Sequence, residues 1–145
     1  MPQIPLAFAA ELGHEHGSLL ELLSRLEAAT QPGTEGGTGP LPALLREVQA
    51  NLRRHFDFEE QDGYMSQALT DAPHLYNAAQ ELLAEHGRMA ADLNALITFA
   101  AAAEGAVTPT LQVQVRQWVL LVRRHEAREN SLIQKACNQD IGADD

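Results

Sequence analysis

Four histidines and two glutamates in this chain share a spacing that suits metal ligation. The run Arg53-Arg54-His55, with Glu59 four residues after the histidine, reappears as Arg123-Arg124-His125 with Glu129, an offset of 70 positions. The same offset carries Glu15-His16-Gly17 onto Glu85-His86-Gly87, so each half of the chain reads as one histidine and then, 39 residues on, His-x-x-x-Glu. Neutral imidazole and carboxylate suit iron, zinc, manganese or copper. Cys137 is the only cysteine, which argues against a structural zinc site, an iron–sulfur cluster or a disulfide framework. Six protein ligands exceed the four of a tetrahedral ion; they serve two ions, with Glu59 and Glu129 bridging.

The elements that must position these residues are helices. Ala, Leu, Glu, Gln and Arg dominate and β-branched residues are sparse. Leu12, His16, Leu19, Leu23 and Leu26 step by four and three, the seam spacing of a bundled helix. The seams of the other helices read Leu41, Leu45, Val48, Leu52, His55, Glu59; then Leu75, Ala79, Leu82, His86, Met89, Leu93, Leu96; then Leu111, Val115, Trp118, Val122, His125, Glu129, Leu132. His55 and Glu59 are about 40° apart in azimuth and about 6 Å apart along the axis, so both reach one inward point. His14 lies about 200° round its helix from its neighbour His16 and His74 lies about 18 Å from His86, so neither joins the set.

This patterning predicts one all-α domain over residues 1–145, an up-down-up-down antiparallel four-helix bundle with helices at about 6–30, 41–66, 72–102 and 109–137. The Gly/Pro-rich run from Gln31 to Pro40 separates the first two, Thr70 or Asp71 caps the third, and Thr108 with Pro109 opens the fourth. A loose acidic tail is expected from Asn138 to Asp145. Counting residues from each histidine to its helix end places all four at one level. Burying four imidazoles and two carboxylates there costs several kcal/mol unless a cation joins them, about what an unpaired buried charge costs.

Composition excludes other classes. The formal charge of −10 opposes nucleic acid and anionic membranes as partners. No window reaches the length of a membrane span, and the first residues carry no basic and apolar leader, so the expected location is the cytoplasm. The residues leave any protein partner unknown.

The pattern resembles the hemerythrin-like HHE cation-binding domains over about residues 10–132. The resemblance is carried by Glu15-His16-Gly17, His55-Phe56-Asp57-Phe58-Glu59-Glu60, Glu85-His86-Gly87 and His125-Glu126-Ala127-Arg128-Glu129-Asn130. It implies a non-haem di-iron centre, oxo- or hydroxo-bridged, with manganese or zinc as lesser alternatives. By the same resemblance His16 and His86 are single ligands, His55 and His125 are terminal ligands, and Glu59 and Glu129 bridge the irons. Ferritin-like bundles instead use Glu-x-x-His, which is absent here.

The oxygen-carrying members have a second histidine one turn from the third helix's histidine and a carboxylate five residues after the fourth helix's; here those places hold Leu82, Ala90 and Asn130. The chain thus looks like the four-histidine, two-glutamate version found in proteins that repair iron centres and in iron-sensing domains. The resemblance implies a small partner, a diatomic molecule or peroxide: oxygen, nitric oxide or peroxide is bound or reacted with in sensing, detoxification or redox response. An iron donor or store for damaged iron centres, or an interaction module that metal only stabilises, are the alternatives. Gly17 and Gly87 are expected to allow close helix contact, or else space beside the metals; Glu60 is expected to be a surface residue.

Overall fold

The computed structural model describes residues 6–31, 41–60, 73–104 and 106–143, with side chains described for 14, 16–31, 41–60, 74–104 and 106–135. Four helices make up this part: α1 Leu6–Ala29, α2 Leu41–Glu60, α3 Pro73–Ala102 and α4 Pro109–Ala143. Several expectations fall outside those limits, namely the run of α2 on to 66, the cap at Thr70 or Asp71, and the side chains of Leu12 and Cys137. The loose tail is corrected. Helix α4 continues through Asn138 and ends at Ala143.

Local chemistry sets the helix ends. Thr108 Oγ1 accepts the Leu111 N–H at 3.1 Å and Pro109 takes the first helical position, where a missing N–H costs nothing. Thr30 Oγ1 donates to the Leu26 carbonyl at 2.8 Å, satisfying one of the last acceptors of α1. Past α3, Glu104 sits in the left-handed region at φ 55°, a place that more often holds glycine.

Helix α1 packs against α2 and α4, and α3 packs against the same two, which closes a ring of four. Neighbours run antiparallel. Asn51 Nδ2 donates to Ser18 Oγ at 2.9 Å while Arg25 meets Glu47, so α2 descends as α1 rises. His16 meets Asn130 and Arg123 meets Glu27, so α4 descends as well. Trp118 Nε1 donates to the Met89 carbonyl at 3.1 Å and ties α4 to α3. The all-α, up-down-up-down expectation holds.

Every seam residue read from the periodicity whose side chain is described is buried. Leu19, Leu23, Leu26, Leu45, Leu93, Leu111 and Val115 have no exposure, and each fully buried aliphatic side chain contributes about 1.5–3 kcal/mol. This apolar block fills one end of the bundle, against which the polar seam positions are set.

Gly17 and Gly87 do not mediate helix contact. Both are exposed, and a Cβ built on either meets nothing within 4 Å. Gly17→Ala and Gly87→Ala should each therefore raise stability by about 0.5–1 kcal/mol, the helix-propensity difference, as a higher urea midpoint.

Candidate metal centre

The seams bring all six sequence-selected residues to one point. His55 and His125 have no exposure, Glu59 and Glu129 are 1% exposed, and His16 and His86 are 4% exposed. His14 and His74 lie exposed, as their helix positions require. The imidazoles form two pairs: His16 and His55 have ring centroids 4.8 Å apart, His86 and His125 5.1 Å apart.

Two carboxylates span the pairs. Glu59 Oε1 lies 2.9 Å from His55 Nε2 and 3.6 Å from His86 Nε2. Glu129 Oε2 lies 3.4 Å from His16 Nε2, while its Oε1 lies 3.5 Å from His86 Nε2 and contacts His125 Nε2. Two groups of donors able to hold an ion result, His16-His55-Glu59-Glu129 and His86-His125-Glu129, each with its ligand atoms within 4.8 Å of one another.

A seventh group, Glu126, is absent from the sequence-derived set. It is 1% exposed, with Oε2 at 2.9 Å from His16 Nε2 and Oε1 at 3.2 Å from His55 Nε2. Its signal in the sequence was faint. Gln112, Val119 and Glu126 recur every seven residues and all three are buried, forming a second stripe beside the seam. The 70-residue repeat hides it, because the matching position holds Phe56.

In three of the four rings the outer nitrogen shows which face is turned inward, whereas His55 Nδ1 has no hydrogen-bond partner among the described residues. His16 Nδ1 donates to Asn130 Oδ1 at 2.9 Å, His86 Nδ1 to Glu60 Oε2 at 2.8 Å, and His125 Nδ1 to Glu85 Oε1 at 2.8 Å. A ring whose proton is held on Nδ1 presents the Nε2 lone pair inward, the arrangement of a metal-bound histidine with its outer partner. Glu60 is therefore a half-exposed residue with a task. The offset that pairs Glu60 with Asn130 also pairs their roles, each orienting the lone histidine of the opposite half.

Inward lone pairs facing carboxylate oxygens repel unless a cation lies between them. His16 Nε2, His55 Nε2, both oxygens of Glu59 and of Glu126, and Glu129 Oε2 are buried with no hydrogen-bond partner among the described residues. Orphaned buried groups of this kind carry a desolvation cost that a metal ion removes. The donor set of imidazole and carboxylate without sulfur fits such an ion.

With protons as its only cations the cluster shows the same demand. Burial alone lowers the His16 pKa, but the carboxylates of Glu126 and Glu129 outweigh it and raise it from 6.5 to about 10. His125 is raised too, burial again being overcome by Glu129 and Glu85. Burial, with Glu129 and Glu126 close by, pushes Glu59 well above the usual carboxylate range. Burial also opposes ionisation of Glu126 and Glu129, yet the surrounding imidazoles, and for Glu129 the Glu59 carboxyl, hold both below it. His16, His125, Glu59, Glu126 and Glu129 are all shifted by burial and by one another.

No helix among the described residues is long and apolar enough to cross a membrane. Neither a curated protein nor a solved structure matches the chain. The family model of the hemerythrin HHE cation binding domain matches residues 7–137, a span that takes in all seven cluster residues. Two duplicated helix pairs, inward Nε2 atoms from every helix and a family match over nearly the whole length lead to one conclusion: the chain belongs to the hemerythrin HHE cation-binding domain family.

Proposed function

We propose that this protein is a non-haem di-iron protein that binds or reacts with a small oxidant, either oxygen, nitric oxide or peroxide, in sensing, detoxification or redox response. The observation that carries the reading is the pairing of the imidazoles, His16 with His55 and His86 with His125, across the carboxylates of Glu59 and Glu129. That geometry offers two adjacent groups of donors, with Glu129 common to both and Glu59 reaching from the first towards His86. Iron held there supplies redox chemistry with coordination positions left open to a small molecule.

The chain's own part is positional. Asn130, Glu60 and Glu85 fix the ring orientation of His16, His86 and His125, so the donor atoms are set before an ion arrives. Phe56 stacks on His86 with centroids 3.7 Å apart and planes within 7°, keeping bulk water from that ring's face. A cleft of about 630 Å³ between α2 and α3, lined by Leu52, Phe56, Glu60, His86, Gly87 and Ala90, leads from solvent to this side. The near-complete burial of every inward donor favours a resident ion over iron held for delivery, since release requires opening the bundle.

The test is the ultraviolet–visible spectrum of iron-loaded protein before and after air, nitric oxide and peroxide. Near-ultraviolet charge-transfer bands that change on adding at least one of these are expected. A spectrum indifferent to all three, from protein that needs metal to stay folded, indicates a metal-stabilised interaction module instead.

A further inference from the structure

Among the positions at which the repeat that builds the cluster departs from identity, one pair differs between the two imidazole pairs. The residue after His125 is Glu126 and the residue after His55 is Phe56, positions related by the 70-residue offset. Glu126 directs one oxygen to each ring of the His16–His55 pair, at 2.9 and 3.2 Å, and neither oxygen has a hydrogen-bond partner among the described residues. Phe56 instead lies flat on His86, with its ring centroid 6.1 Å from that of His55 and 6.5 Å from that of His125. One pair has a third carboxylate, and in the other His86 has an aromatic ring stacked on it and lines a cleft.

Resting on the di-iron reading, we propose that Glu126 is a seventh protein ligand, binding the ion held by His16 and His55, which leaves the ion held by His86 and His125 the less saturated of the two. The reason is a count of donors and charge. Glu59 and Glu129 reach both pairs, whereas the described contacts of Glu126 to the imidazoles are confined to one. The ion on that side gains an extra anionic donor and loses an open position. The ion on the Phe56 side has two imidazoles and the spanning carboxylates, leaving it the less saturated. The cleft reaches the protein on that same side, at Phe56 and His86. Three carboxylates also neutralise more of the charge of two divalent ions than two do, which favours retaining both in an apolar interior.

The experiment uses full-length protein loaded with 57Fe, with iron stoichiometry and Mössbauer spectra compared across variants. Wild type should bind two irons and show two distinguishable quadrupole doublets of equal area. Glu126→Gln, which keeps volume and loses charge, should shift one doublet and weaken one iron equivalent by at least about tenfold, the lower end of what loss of even an outer partner costs. Phe56→Leu leaves Glu126 in place and should shift the other doublet, giving an independent reading if the first variant folds poorly. Asn130→Ala removes the outer partner of His16 without removing a carboxylate, and should leave both irons bound and both doublets resolved.

Two irons in wild type with Glu126→Gln unchanged would overturn the seventh ligand and leave the di-iron reading standing. So would equivalent irons in wild type, an Asn130→Ala spectrum that matches Glu126→Gln, or both Glu126→Gln and Phe56→Leu moving the same doublet. Fewer than two irons in wild type overturns the di-iron reading and this proposal together.

Discussion

Glu129→Ala is expected to lose both metal ions. Glu129 is the one side chain common to both donor groups. Its Oε2 serves the His16 side and its Oε1 the His86 and His125 side, so no single-ion site survives intact when it is removed. The carboxylate is 1% exposed, and removing one partner of a buried charge pair destabilises by about 3–5 kcal/mol because the other partners are left uncompensated.

A comparison separates ligation from general disruption. Glu85→Ala removes the outer acceptor of His125, a carboxylate about one-third exposed that also pairs with Arg128, and should keep both ions at about 10- to 100-fold lower affinity. Metal analysis after anaerobic loading and desalting checks both. A Glu129→Ala protein that folds and keeps two ions would rule out the shared-ligand geometry.

The second large effect is on pH. In protein stripped of metal, stability should fall as pH rises from about 6.5 towards 10, and in metal-loaded protein it should not. His16 has its folded pKa raised from 6.5 to about 10, so within that window the folded chain holds a proton that the unfolded chain has released. The stability this proton confers is fully present below 6.5 and is lost as pH climbs through the folded value. His125 is shifted in the same direction and adds to the loss, while Glu59, also raised, loses its contribution from above 4.5. The slope is about 1.4 kcal/mol per pH unit for each proton.

Glu126, Glu129 and Glu85 are shifted the other way. Burial opposes them, but their imidazole and arginine neighbours, and for Glu129 first the Glu59 carboxyl, dominate, so their stabilisation is present above 4.5 and is lost as pH falls. Stripped protein should thus be most stable between about pH 4.5 and 6.5. Metal takes the place of these protons, so loading releases protons and protects most at alkaline pH. Urea midpoints at a series of pH values, with and without metal, give the answer. A stripped protein that grows more stable from pH 6.5 to 9 would contradict it.

The periodicity of four and three identifies which face of each helix is inward, and that placed His16, His55, Glu59, His86, His125 and Glu129 together. It resolves a line one residue wide. The buried stripe of a bundled helix is broader, and whether a flanking position is covered depends on the neighbouring helix, which a single sequence does not show. Glu126 and Phe56 sit in that flank. Glu126 also carried the charge that marks a surface residue, so only the assembled bundle shows it buried between His16 and His55.

The orienting roles of Glu60, Asn130 and Glu85 are not legible in the sequence for a related reason. They are partly exposed and act on a histidine from a different helix, through contacts that span 26, 114 and 40 residues. The glycines misled in the opposite direction, since a residue that weakens a helix suggests a packing need, and Gly17 and Gly87 face open space. The end of α4 was misplaced because Asn138 and Gly142 weaken the helical pattern without ending it before Ala143.

The most direct test is an anaerobic ferrous titration of stripped protein, with bound iron and released protons counted together. Two irons per chain, with proton release and both lost in Glu129→Ala, are the result expected from paired imidazoles spanned by Glu59 and Glu129. One iron per chain, or two that persist without Glu129 and displace no protons, would contradict it.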